Sequence, residues 1–221
     1  MDNFGVERSD VQPGRKPGSA GVSPVSCWTG KPDAPAGRQR SQASRKSSRT
    51  MAAAVAQLCP QCALCCNGVL FKDVELQPGD SAAKLKMLGL PVSGKRVAKF
   101  PQPCAALDGG SCRIYGEHPA RCREFECALL KSVAAGETDV RAALRVIRDA
   151  QKRVEKVRRL LSASGDVDES LALSLRFKRT QRRMESASLS EAAADTFGEL
   201  TLAVHDLNLL LRMKFYPSPG D

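Results

Sequence analysis

At 221 residues the chain has room for one folded domain with appendages, and its 42% hydrophobic and 26% charged residues suit a globular protein in water. No run of 18 apolar residues occurs, which excludes a membrane-spanning helix. No apolar h-region follows the N-terminus, so a cytoplasmic protein with reduced thiols is expected. The formal charge of +10 divides evenly: residues 1–50 hold nine Lys/Arg against four Asp/Glu, and the rest holds 25 against 20. Charge spread this way reads as solvated helix faces. A nucleic-acid partner is therefore not expected, and a protein partner is left open.

Residues 1–50 are rich in Ser, Gly, Pro and Arg and have no apolar periodicity, so a disordered tail is expected. Met51, opening MAAAVAQLCPQC, offers an alternative start of translation. An inert tail and a basic binding arm are the other readings. Gly68 to Leu76 favours an extended segment, Pro78-Gly79-Asp80 a turn, and Ser81 caps a short helix stopping at Gly89. A second short strand is expected over 96–100 and a tight hairpin around Asp108-Gly109-Gly110. After Pro119 a helix should run unbroken to Gly136.

Three helices follow. Val140, Ala143, Ile147, Ala150, Val154, Val157 and Leu161 recur at three- and four-residue steps, giving an amphipathic helix over about 138–162. Asp166 with Glu169 reads as a capping box for a second, over about 167–186, carrying many basic residues. Ser188 with Glu191 opens a third, whose stripe is Ala193, Phe197, Leu200, Val204, Leu207 and Leu211. The expected fold is mainly α. A small irregular cysteine module with short strands, residues 51–136, precedes a helical region, residues 137–216, that packs on it.

Nine cysteines are the chain's most unusual feature. Cys27 lies alone in the tail. Cys59, Cys62, Cys65 and Cys66 fall within eight residues, and Cys104, Cys112, Cys122 and Cys127 follow. In a reducing compartment such thiols read as metal ligands, and eight divide naturally into two four-ligand centres. Cys-Pro-x-Cys resembles one knuckle of a zinc ribbon, but no second such pair follows. Adjacent Cys65 and Cys66 point differently in most backbone conformations and could serve different centres. Thiolate-only ligation selects zinc, Cu(I) or iron–sulfur clusters, and the spacing leaves zinc and iron open. The run departs from the ferredoxin pattern after Cys65. Eight bound thiolates with two divalent ions would add about −4 and bring the folded part near neutrality. Arg113, Arg121 and Arg123 stand beside cysteines, where cations offset thiolate charge. His118 reads as a loop residue rather than a ninth ligand. No triad, P-loop or dinucleotide fingerprint is present.

Cys59-x2-Cys62-x2-Cys65-Cys66, then Pro103-Cys104, then Cys112-Arg113-Ile114-Tyr115-x2-His118-Pro119-x2-Cys122-Arg123-x-Phe125-x-Cys127, resembles the YkgJ-type cysteine-cluster proteins over roughly residues 57–130. The resemblance implies chelation of zinc or iron by the eight matched cysteines. His118 stands where the family more usually has arginine. Flagellin lysine methylases share a similar motif, associated there with iron–sulfur chemistry, but no methyl-donor site is recognisable in this chain. The expected function is metal binding in a protein module. An iron–sulfur enzyme acting by redox or group transfer on a protein side chain is the alternative.

Overall fold

The structure is a computed structural model that describes residues 37–188 and 190–217, with side-chain surroundings from residue 50 onward. The expectation of a disordered tail lies outside the described residues up to residue 36, as does Cys27. From Gly37 the chain is helical, and helix α1 (Gly37–Cys62) carries the first two cysteines of the cluster, Cys59 and Cys62, in its last turn. Over residues 37–50 this helix stands where a disordered tail was expected. Ala54 and Leu58 are buried in the main core, with Met51 and Val55 packed beside them. Once that turn is anchored, helix extends backward through Arg, Gln, Lys and Ser at little cost per residue.

The cysteine module carries two small antiparallel ladders. β1 (Asp73–Glu75) pairs with β2 (Lys99–Pro101), placing Val74 opposite Phe100. β3 (Leu107–Asp108) and β4 (Ser111–Cys112) form the hairpin expected around the two glycines. Between the first pair lies α2 (Ala82–Met87), whose N-cap Ser81 accepts from the Lys84 amide at 3.2 Å. Val74, Leu85, Leu90, Val92, Phe100 and Ala106 close a small core of their own.

The helix expected over residues 120–136 is broken. α3 (Ala120–Glu124) ends at Phe125, which is extended at φ −75°, ψ 117°. α4 (Ala128–Ala135) restarts with Cys127 as its N-cap and ends at Gly136 in the left-handed region, φ 81°. Phe125 packs edge-to-face on Phe71, ring centroids 4.8 Å apart, and that contact holds the break open.

α5 (Val140–Ala163) buries Ala143, Ile147, Ala150, Val154, Val157 and Leu161, as its periodicity predicts. α7 (Glu191–Lys214) starts at N-cap Ser190 rather than Ser188 and buries Leu200, Ala203, Val204, Leu207 and Leu211 against α5. α1 packs on α4 and α5. One aliphatic core thus runs from Ala54 to Phe215. Tyr216 fastens the end of α7 to the module, its hydroxyl donating to the Leu70 carbonyl at 3.0 Å.

α6 (Leu173–Glu185) departs furthest from expectation. It begins six residues late, its N-cap is Ala172, and the Asp166–Glu169 capping box does not form. Asp166 is instead buried, accepting from Arg176 Nε at 3.0 Å and from Arg179 Nε at 2.8 Å. Arg176 is 2% exposed and also donates to the Asp166 carbonyl. A buried ion pair outweighs a surface cap because neither charge can be left alone in the core. The orphan amide of Leu173 goes to the Gly68 carbonyl, 2.9 Å away, so the cysteine module itself caps this helix.

Two outcomes are expected. Asp166→Ala strands Arg176 and should cost about 3–5 kcal/mol in urea unfolding, with Arg179→Ala costing less. Gly110 has φ +90°, and a Cβ there would run into the Pro60 carbonyl of α1. Gly110→Ala should therefore lower stability by about 1–3 kcal/mol. An unchanged denaturation midpoint for either variant would contradict the packing described.

Candidate metal centre

The eight cysteines come from six places in the chain and meet between the two cores. Cys59 and Cys62 lie three apart in the final turn of α1 and so share a helix face. They are thus helical rather than part of a ribbon-type knuckle, because α1 continues through Pro60 to Cys62. Ala63 then takes φ 52°, a left-handed value that stops the helix. Its carbonyl accepts from the Cys66 and Asn67 amides, both at 2.9 Å, closing a tight turn that carries Cys65 and Cys66. Leu64, fully buried, pins this turn to the main core.

The Cys104 amide donates to the Cys66 carbonyl at 2.8 Å, which brings the second half of the motif alongside the first. Gly68 makes this approach close: a Cβ there would sit 3.2 Å from Pro103 and 3.0 Å from Ala172. Cys112 comes from β4 and Cys122 from α3. Asp80 fixes α3 by accepting from the Ala120 amide at 2.9 Å and from the Gln77 amide at 2.8 Å. Cys127 sits at the N-terminus of α4 and accepts from the Leu130 amide at 3.4 Å.

Two sets of thiols emerge. Cys62, Cys65 and Cys127 pack against the main core, while Cys104, Cys112 and Cys122 pack against the small one. The electrostatics follow the same division. Burial pushes the Cys59 thiol up to about 11, with Cys127 and then Cys66 adding to it. Burial likewise takes Cys62 to about 12, against the Leu64 amide and reinforced by Cys127, Cys59 and Cys66. In the other set burial carries Cys122 to about 12, helped by Cys66, Cys104, Cys112 and Asp80. Burial also raises Cys104 and Cys112, and Cys66 adds to both. Only Cys66 acts on members of both sets.

Cys65 and Cys66 touch, with their sulfurs 3.6 Å apart. The shared hydrogen bond, then burial, raises the Cys65 thiol, and the same bond lowers Cys66 against its own burial. Backbone amides oppose burial elsewhere: Leu130 and Leu129 at Cys127, Ala106 and Leu107 at Cys104, Ile114 at Cys112. Amides directed at sulfur favour thiolate, as does the helix N-terminus at Cys127.

None of the eight is in a disulfide. The sulfurs are neighbours without being gathered to ligating distance: among the described residues no three Cys, His, Asp or Glu side chains converge closely enough to hold an ion. The donor set nonetheless suits a thiophilic metal. Every sulfur is partly buried, several face amide donors, and a divalent ion would relieve the crowding that raises the thiols.

The arginines behave unequally. Arg113 donates to the Ala105 carbonyl at 2.6 Å and lowers the neighbouring Cys112 thiol, as a charge-offsetting cation should. Arg123 turns to the His118 carbonyl at 2.5 Å, and Arg121 is exposed. His118 stacks on Tyr115 at 4.9 Å, its Nδ1 buried with no partner among the described residues. Burial, then Arg123, lowers its pKa and keeps the ring neutral. What the sequence did not reveal is the Phe125 break. An unbroken helix would rotate Cys127 about 140° from Cys122 in a fixed relation. The break lets each residue join a different set.

No curated protein and no solved structure matches the chain. Residues 58–150 match the family model CxxCxxCC, described as a "putative zinc- or iron-chelating domain", a match that takes in all eight clustered cysteines, α3, α4 and the first half of α5. The match spans 93 of the 221 residues, so the likeness lies in the cysteine segment and the first half of α5.

Proposed function

We propose that the eight thiolates form two metal centres, one from Cys59, Cys62, Cys65 and Cys127, the other from Cys66, Cys104, Cys112 and Cys122. The observation that carries this reading is the division of the sulfurs between two cores, with the adjacent pair Cys65 and Cys66 at the boundary. Four thiolates fill a tetrahedral ion, so each centre is closed and structural, and zinc suits it without any redox demand. A structural zinc site is worth about 10–16 kcal/mol. That is a large term for a module whose own core holds six buried hydrophobic residues.

Within the protein the two centres would join segments that lie apart in the sequence. The first ties the end of α1 to the start of α4. The second ties the turn after α1 to the hairpin and α3. The contact between Cys65 and Cys66 sets the two centres side by side. The domain then acts as a rigid platform for the helices α5 to α7, which present a surface to a protein partner.

Protein purified without oxygen should carry about two zinc ions per chain and be colourless. Cys62→Ser and Cys122→Ser should each reduce this to about one, and cobalt-substituted protein should keep thiolate charge-transfer bands from the intact centre. Loss of all metal in both variants would mean a single shared cluster. Unchanged metal content in both would reject the ligand set. Iron with acid-labile sulfide would replace this reading by an iron–sulfur centre able to do redox or group-transfer chemistry.

A further inference from the structure

The outer face of α5 carries a straight row of exposed residues: Arg141, Arg145, Arg148, Lys152, Glu155 and Arg159. Their spacing alternates four and three residues, so they form one stripe on the side opposite Ala143, Ile147, Ala150, Val154, Val157 and Leu161. Five cations against one carboxylate leave the row at +4. It runs about 27 Å along the helix axis.

Three features separate this row from an ordinary solvated face. Three of the other charges on α5 are held in ion pairs, Arg153 with Asp149 and Lys156 with Glu199, whereas the five cations of the row make no ion pair or side-chain hydrogen bond among the described residues. The row has no apolar member: none of the large exposed hydrophobic side chains lies on α5. The helix also contains no aromatic residue. Absence of exposed apolar side chains argues against insertion into a lipid surface. Absence of aromatics argues against stacking on unpaired bases. What remains is a rigid line of guanidinium and ammonium groups, matched to evenly spaced phosphates.

The basic helix α6 does not offer the same surface. Its Arg176 is buried on Asp166, Arg179 bridges Asp166 and Asp168, and Arg183 caps the end of α5 through the Ser164 and Gly165 carbonyls. Lys178 and Arg182 are the exposed cations left there without a described ion pair.

We propose that the outer stripe of α5 is a docking surface for the phosphate backbone of a nucleic-acid duplex, bound without reading base sequence. α5 is packed by α1, α4, α6 and α7, which leaves this outer strip exposed and lays the helix across the backbone rather than into a groove.

The test uses the full-length, metal-replete protein and a labelled mixed-sequence DNA duplex of about 20 base pairs, followed by fluorescence anisotropy across a potassium chloride series. Neutralising about four phosphates predicts a slope of log K against log salt near −3.6. Arg145→Glu with Arg148→Glu should weaken binding at least tenfold at low salt. Lys178→Glu with Arg182→Glu, the same charge change on α6, should alter it less than about threefold. Metal content and melting temperature of both variants, measured in parallel, separate a lost surface from a lost fold. If the α5 variant proves unfolded, Arg145→Gln with Arg148→Gln replaces it and should weaken binding several-fold. Absence of binding at low salt, equal loss in both pairs of variants, or equally tight binding to anionic vesicles or polyglutamate would overturn the proposal.

Discussion

The structure depends on how the chain passes through Cys65 and Cys66. Two adjacent residues cannot place both side chains in one direction unless the backbone is unusual. Here it is set by Ala63 at φ 52° and by Leu64, which is buried in the helical core. From that turn Cys65 packs on the core held by α1 and α4, while Cys66 bears on thiols of both sets. The contact at 3.6 Å keeps them in register. Cys104, Cys122 and Cys127 are each brought to this point by a separate device: Gly68 lets Pro103 approach, Asp80 anchors α3, and the Phe71–Phe125 contact accompanies the helix break before Cys127.

Burial alone works against the cluster. Thiols driven up to about 11 and 12 by desolvation and by one another stay protonated at neutral pH. Protonated thiols contribute modest packing and weak hydrogen bonds. A cation offsets the burial cost and turns mutual repulsion into shared attraction, because neighbouring thiolates that repel one another all attract the ion. The amides pointed at Cys104, Cys112 and Cys127 then stabilise charge that already has a counterion. The same arrangement that disfavours free thiolate is therefore suited to bound thiolate.

Much of this was legible in the residues. The apolar steps of α5 and most of those of α7 map onto buried positions, since a long amphipathic period has one way to face a core. Ser81 caps α2 where local chemistry placed it. The failures share a cause. Asp166 reads as a cap until Arg176 is seen to need a buried partner, and that need exists only in three dimensions. The break at Phe125 follows from an aromatic contact with Phe71, 54 residues earlier. The helical setting of Cys59 and Cys62 follows from packing of Ala54 and Leu58 against distant helices. Local patterns gave the elements, and long-range contacts decided where they start, stop and bend.

The same distinction governs charge. By composition α5 and α6 are both basic helices, and α6 looks the stronger candidate for an anionic partner. Packing inverts that order. Most of the arginines of α6 are drawn inward or to the end of α5, where they satisfy a buried carboxylate and three backbone carbonyls. They hold the joint between two helices. The cations of α5 face outward because the opposite side of the helix is filled without interruption by aliphatic residues from Ala143 to Leu161. A net charge counts both kinds equally. Only the second kind is available to a partner, and it is rigid because α5 is clamped by α1, whose end carries Cys59 and Cys62. The thiol cluster and the basic stripe are thus mechanically linked through the helix pair α1 and α5, with Gln151 of α5 donating to the Gln61 carbonyl at 2.6 Å between those two cysteines.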